Sequence, residues 1–144
     1  EFARCLSQSK RGDIAASYNL ALMYHDGRGI KQDSLQAYSW WVHAARWKHV
    51  PSIYNEGVCL WEGLGVKKDE DEAIKRFQSA KNHGFAPARI ALGTVYRRMS
   101  VRPNRDSKFK NYYRKQAIQI LHTDKSLPGA VPIDRSEERS PPYL

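Results

Sequence analysis

Tyr18-Asn19-Leu20-Ala21-Leu22-Met23-Tyr24, followed by Gly27-Arg28-Gly29-Ile30 and then by Asp33, Ala37, Trp41 and Ala44, has a second copy 36 residues later. That copy reads Tyr54-Asn55-Glu56-Gly57, Gly63-Leu64-Gly65-Val66, Asp69, Ala73, Phe77 and Ala80. A third copy is degenerate: Pro87 matches Pro51 and Gly93 matches Gly57, but residues 99–105 replace the glycine loop. A repeat of this length with two helices per unit is the signature of an α-solenoid, whose units bury their apolar faces only by stacking. The sequence therefore predicts an all-α chain: an α-solenoid of stacked antiparallel helix hairpins with a period of about 36 residues, plus an extended C-terminal tail.

Local signals mark the helices independently. Asp33 and Asp69 each precede an apolar-periodic run, with Gln36 and Glu72 three residues on, the pattern of a capping box. Asp106 opens a third such helix without that partner. Leu35, Ala37, Tyr38, Trp41, Ala44 and Ala45 form one helical stripe and Ala73, Ile74, Phe77 and Ala80 another. Helices are predicted over 13–26, 34–48, 52–62, 70–83, 86–99 and 107–122. The paired glycines follow helices and recur in register, so they read as hairpin turns and not as a phosphate loop, which would lead from a strand into a helix.

The pattern written in Asn19 to Ala45 resembles the Sel-1-like repeat, a relative of the tetratricopeptide repeat. The resemblance is specific over roughly Gly12 to Gly84 and weak in the third unit. It implies an all-α superhelix acting as a non-catalytic protein-protein interaction adaptor or scaffold, with no catalytic residues to carry over. Glu56 departs from it, standing where Leu20 and Leu92 occupy the other copies. Either that position is exposed or a carboxylate is held in a groove for a basic ligand.

Repeats are expected at about 13–48, 49–84 and 85–122 within a domain at 13–125, after a remnant of a preceding helix at 1–12 and before a Pro-rich disordered or extended tail at 126–144. Ser140-Pro141 and Pro141-Pro142-Tyr143 are weak motifs within that tail. The chain has 144 residues, which suits one domain, and no apolar run approaches the roughly 20 residues of a membrane span. The absence of an initiator Met suggests a fragment or processed form.

Two cysteines, Cys5 and Cys59, lack a disulfide-framework spacing and read as free thiols. A reducing compartment, cytoplasmic or mitochondrial, suits them better than the lumen of the endoplasmic reticulum, which stays open. The five histidines make no i, i+4 pair with one another and there is no C-x-x-C, so neither metal nor cofactor is expected. The Asp69-Glu70-Asp71-Glu72 run lies on the first turn of a helix, where negative charge is favoured electrostatically. No serine elbow or base-activated nucleophile is recognisable, and no enzyme activity is assigned.

Two surfaces are candidates for partners. In tetratricopeptide-like stacks first helices line the concave wall. If Leu20, Ala21 and Tyr24 point inward, Asn19, Leu22, Met23 and Asp26 turn outward, matched by Asn55, Val58, Cys59 and Glu62. Asn19 and Asn55 could bond the backbone of an extended peptide, or else make an inter-helix bond that fixes the stacking of repeats. Trp41 and Phe77 read as core, whereas Trp40 and Trp61 are candidates for solvent-facing or inter-repeat contacts.

The second surface is electrostatic. Residues 97–125 hold nine Lys/Arg against two Asp/Glu, so most of the formal net charge of +9 sits on the third hairpin. There Arg97, Arg98, Arg102, Arg105, Lys108, Lys110, Arg114 and Lys115 interleave with Phe109, Tyr112 and Tyr113. Such a patch fits an acidic protein surface, and it also supports the alternative of an RNA- or ribosome-associated subunit.

Overall fold

The computed structural model describes residues 1–121 and 131–138. The expectations placed on Ser140-Pro141 and Pro141-Pro142-Tyr143 lie outside the described residues. Among those described there are seven helices and no strands: α1 (Phe2–Lys10), α2 (Ile14–Asp26), α3 (Ser34–Ala45), α4 (Val50–Glu62), α5 (Glu70–Asn82), α6 (Ala86–Ser100) and α7 (Ser107–Leu121). Each helix packs on its neighbours in sequence, which makes the chain a short helical solenoid.

The repeat extends to individual hydrogen bonds. Asp33 Oδ1 accepts from the Gln36 backbone N–H at 3.1 Å and Asp69 Oδ1 from Glu72 N–H at 3.0 Å. The reciprocal half of the capping box is replaced by a tertiary bond. Asp33 N–H donates to Tyr24 O and Asp69 N–H to Leu60 O, each at 2.9 Å, which frees Glu72 to pair with Arg76. Gly27 and Gly63 end α2 and α4 with φ of +72° and +74°, the left-handed conformation that closes a helix. Gly65 is constrained twice, by its φ of +71° and because a Cβ there would lie 2.0 Å from Ser34 O.

Two helix ends differ from the sequence expectation. The helix predicted to 48 stops at Ala45, because Lys48 takes a positive φ of 58° and turns the chain, leaving Trp47 exposed. The helix expected from 52 begins at Val50, with Pro51 in the first turn, where its missing N–H costs no intrahelical bond.

Trp41 and Phe77 are completely buried at equivalent places, packed with Tyr18, Leu22 and Ala37 in one cluster and with Tyr54, Val58 and Leu92 in another. Glu56 is also buried, with Arg76 Nε 3.1 Å away across to α5, so the expectation of an exposed residue at this position is corrected. The partner is the protein's own arginine. Cys5 and Cys59 are buried in separate clusters and are not joined in a disulfide.

Candidate peptide-binding groove

Successive first helices α2, α4 and α6 present equivalent positions in rows. Tyr18, Tyr54 and Ile90 form one row, Asn19, Asn55 and Ala91 the next, and Leu22, Val58 and Thr94 a third. Across these rows lies a non-helical segment of the same chain, residues 131–138, running from the third repeat back to the first and closing in a turn in which Glu138 N–H donates to Arg135 O at 3.0 Å.

The segment is held by its backbone. Tyr54 donates its hydroxyl to Pro132 O at 2.7 Å. Asn55 grips the next peptide units from both sides, donating Nδ2 to Asp134 O at 3.1 Å and accepting from Asp134 N–H at 2.7 Å. The Tyr18 hydroxyl reaches Asp134 O at 2.7 Å and Asp134 Oδ2 at 2.9 Å. Burial, reinforced by the Asp134 charge, pushes both phenols far above their usual range, so Tyr18 and Tyr54 stay protonated and act as donors.

Side chains fix the register. Val131 is buried in the α4–α6 cluster, and Ile133 packs against both central clusters. Asp134 is buried, its carboxylate accepting from Ser136 Oγ at 2.8 Å. Arg135 makes a two-pronged pair with Asp26, which also meets Arg28 at 3.2 Å. The Arg135 hydrogen bonds hold the Asp26 carboxyl below the usual carboxylate range. Beyond them Glu138 meets Arg28, and Glu137 lies 2.6 Å from His49, whose other ring nitrogen contacts Ser52 Oγ. A cavity of about 140 Å³ remains at the third-repeat end, lined by Tyr54, Pro87, Ile90, Ala91, Thr94 and the segment's Val131 and Pro132. Thr94 Oγ1 is buried without a hydrogen-bond partner there.

The residues expected to face outward are placed in different ways. Asn55 and Asp26 touch the segment directly. Leu22, Val58 and Cys59 do not face solvent: they are buried in the clusters against which Ile133 packs, and burial pushes the Cys59 thiol up to about 12. Met23 is turned the other way, into a cluster with Cys5 and Leu20 beside α1. Asn19 is buried and donates to Ala15 O within its own helix at 2.8 Å. Glu62 is exposed, 3.9 Å from Arg98. Trp40 is half-buried between repeats and edge-on to His43, whereas Trp61 is buried under Lys68 and Arg102.

The basic hairpin spends part of its charge internally. Arg98 approaches Glu62, Arg102 pairs in two-pronged fashion with Glu70, and Arg105 lies over the Tyr113 ring at 5.4 Å. Lys110 is half-buried, its Nζ 3.4 Å from Pro103 O, and Arg97, Lys108, Arg114 and Lys115 stay exposed. Tyr18, Tyr54, Arg28 and His49 went unrecognised in the sequence, although Tyr18 and Tyr54 stand beside Asn19 and Asn55 in the repeat and could have been found by the same offset.

The Sel1 repeat family model matches residues 14–46 and 50–85. The chain is 32% identical over 95 residues to the chitin synthase regulator SKT5 of Saccharomyces cerevisiae, a match spanning 65% of this chain and 14% of that protein. It is 29% identical over 121 residues to chitin synthase regulatory factor 2 of Schizosaccharomyces pombe, covering 83% of this chain and 23% of the relative. The chain thus spans less than a quarter of either relative's length. A Sel1 repeat protein from Oxalobacter formigenes superposes with a TM-score of 0.58 at 26% identity, over 75% of this chain and 44% of that one. The protective antigen c5321 of uropathogenic Escherichia coli, with an SLR fold, superposes with a TM-score of 0.65 at 22% identity, over 83% of this chain and 25% of that one. The 36-residue hairpins, the family match on two of them and these structural likenesses agree: the chain belongs to the Sel1-repeat proteins.

Proposed function

We propose that this chain is a non-catalytic adaptor whose groove across α2, α4 and α6 receives an extended segment of a partner protein. The observation that carries this reading is the backbone clamp of Asn55 on Asp134, together with the flanking tyrosine donors. Such bonds need only an extended chain, which is how repeat grooves capture segments of unrelated proteins. The regulatory names of the two yeast relatives support docking onto a larger enzyme or assembly as the output. The basic hairpin, with Arg97, Lys108, Arg114 and Lys115 still exposed, is a second surface for an acidic partner or for RNA.

The test places a photo-crosslinking residue at Ile90, which is half-buried on the cavity wall. Adducts formed in a cell extract should map to defined protein segments, survive ribonuclease and depend weakly on salt. Adducts lost with ribonuclease, together with binding that falls steeply as salt rises, would overturn the adaptor reading in favour of RNA. Failure to form any protein adduct would also overturn it.

A further inference from the structure

Residues 131–138 form a ligand in place, and the way they fit describes what else would fit. Backbone bonds at Pro132 and Asp134 carry no side-chain selectivity. Selectivity comes from four positions: Val131 and Ile133 on the apolar clusters, Asp134 beside Tyr18, and Arg135 on Asp26. The fit is incomplete at one end, where the cavity of about 140 Å³ beside Val131 stays unfilled and Thr94 Oγ1 lacks a partner.

We infer that the groove selects extended protein segments of the form apolar–any–apolar–Asp–basic, and that residues 131–138 are a built-in competitor which such a partner must displace. This deepens the adaptor reading and rests on it. A segment of the same chain competes at an effective concentration that a free segment lacks, so a free segment of equal fit binds poorly until the internal one is weakened. A partner with a longer apolar side chain in the place of Val131 would fill the cavity and gain the advantage that the internal segment lacks.

The experiment measures fluorescence anisotropy of two labelled octapeptides against the full chain. One is Val-Pro-Ile-Asp-Arg-Ser-Glu-Glu, and the other carries Glu in place of its arginine. Two variants of half-buried or exposed charges, Arg135→Glu and Asp26→Arg, weaken the internal segment from opposite sides while leaving the cores untouched.

The Arg135→Glu chain should bind the unaltered probe about tenfold or more tightly than the wild type does, and should prefer it to the swapped probe. The Asp26→Arg chain should reverse that preference. On the Arg135→Glu chain, a probe with Leu in the valine position should gain about fourfold.

Equal affinity of the two charge probes on both variants would overturn the selectivity. Wild-type binding as tight as that of Arg135→Glu would overturn internal competition. Absence of binding to any chain would overturn the ligand class, and an unchanged pattern of Ile90 adducts would then show that the adaptor reading survives without it.

Discussion

Glu56 is the residue at which the repeat and the physics disagree. Its equivalents Leu20 and Leu92 are buried apolar residues, and Glu56 is buried as they are. Arg76 Nε lies 3.1 Å from its Oε1, at an angle too poor for a hydrogen bond, while Arg76 Nη2 turns to Glu72 at 3.0 Å. Burial therefore outweighs the arginine and pushes the Glu56 carboxyl above its usual range. A carboxyl raised on folding stabilises most when protonated, so its contribution is present at low pH and is lost as pH rises through the folded value. In urea titrations from pH 4 to pH 8 the wild type should lose stability relative to Glu56→Gln as pH rises. Glu56→Leu should be neutral or stabilising by about 1–3 kcal/mol at pH 7, because Arg76 keeps Glu72; a loss of stability would mean the ion pair is net favourable. Asp26 runs the other way: Arg135 holds its carboxyl low, so that pair contributes above the usual carboxylate range and fades as pH falls. The departure at Glu56 was legible from the 36-residue offset, but its burial was not, because Arg76 lies 20 positions away on the next helix and no local pattern connects the two.

At the scale of elements most of the body was readable, because each helix is specified by its own stripe and start signal. The ends were less so. Lys48 in a left-handed conformation stops α3 early without a glycine to announce it, and the predicted return bonds to Asp33 and Asp69 are replaced by bonds to Tyr24 and Leu60 across each turn. The same tertiary demand separates two glycines that look alike in sequence. At Gly63 an added Cβ would make only ordinary van der Waals contacts, the nearest with Lys68 Cβ at 3.6 Å, so Gly63→Ala should cost about 1 kcal/mol for its positive φ alone. At Gly65 the added Cβ would meet the Ser34 carbonyl, backbone that cannot simply rotate aside. Gly65→Ala should therefore cost more than about 2 kcal/mol in thermal or urea unfolding, and comparable losses for the two variants would show that the turn yields locally instead of pressing on α3.

At the scale of the whole molecule, a solenoid whose repeats pack mainly on adjacent repeats has weak coupling between its ends. Residues 131–138 supply a link that a nearest-neighbour stack lacks, since Val131 sits against the third repeat, Asn55 grips the second and Asp26 pairs with the first. That link was illegible in the sequence: its hydrogen-bond partners on α2 and α4 are 78 to 116 residues away, and a Pro-containing stretch without periodicity reads as tail whatever it docks against. Ile133→Asp tests its mechanical role, because a carboxylate against two apolar clusters costs several kcal/mol unless the segment lets go. Trp40, Trp41, Trp47 and Trp61 all lie in the first two repeats, so tryptophan fluorescence follows those repeats while far-ultraviolet circular dichroism follows every helix. In the wild type the two urea transitions should coincide, as expected of one cooperative unit. In Ile133→Asp the dichroism should begin to fall at lower urea than the fluorescence, as α6 and α7 unfold ahead of the rest. Transitions that still coincide, merely shifted to lower urea, would mean that the stacked helices are cooperative by themselves and that the docked segment adds stability without coupling the ends.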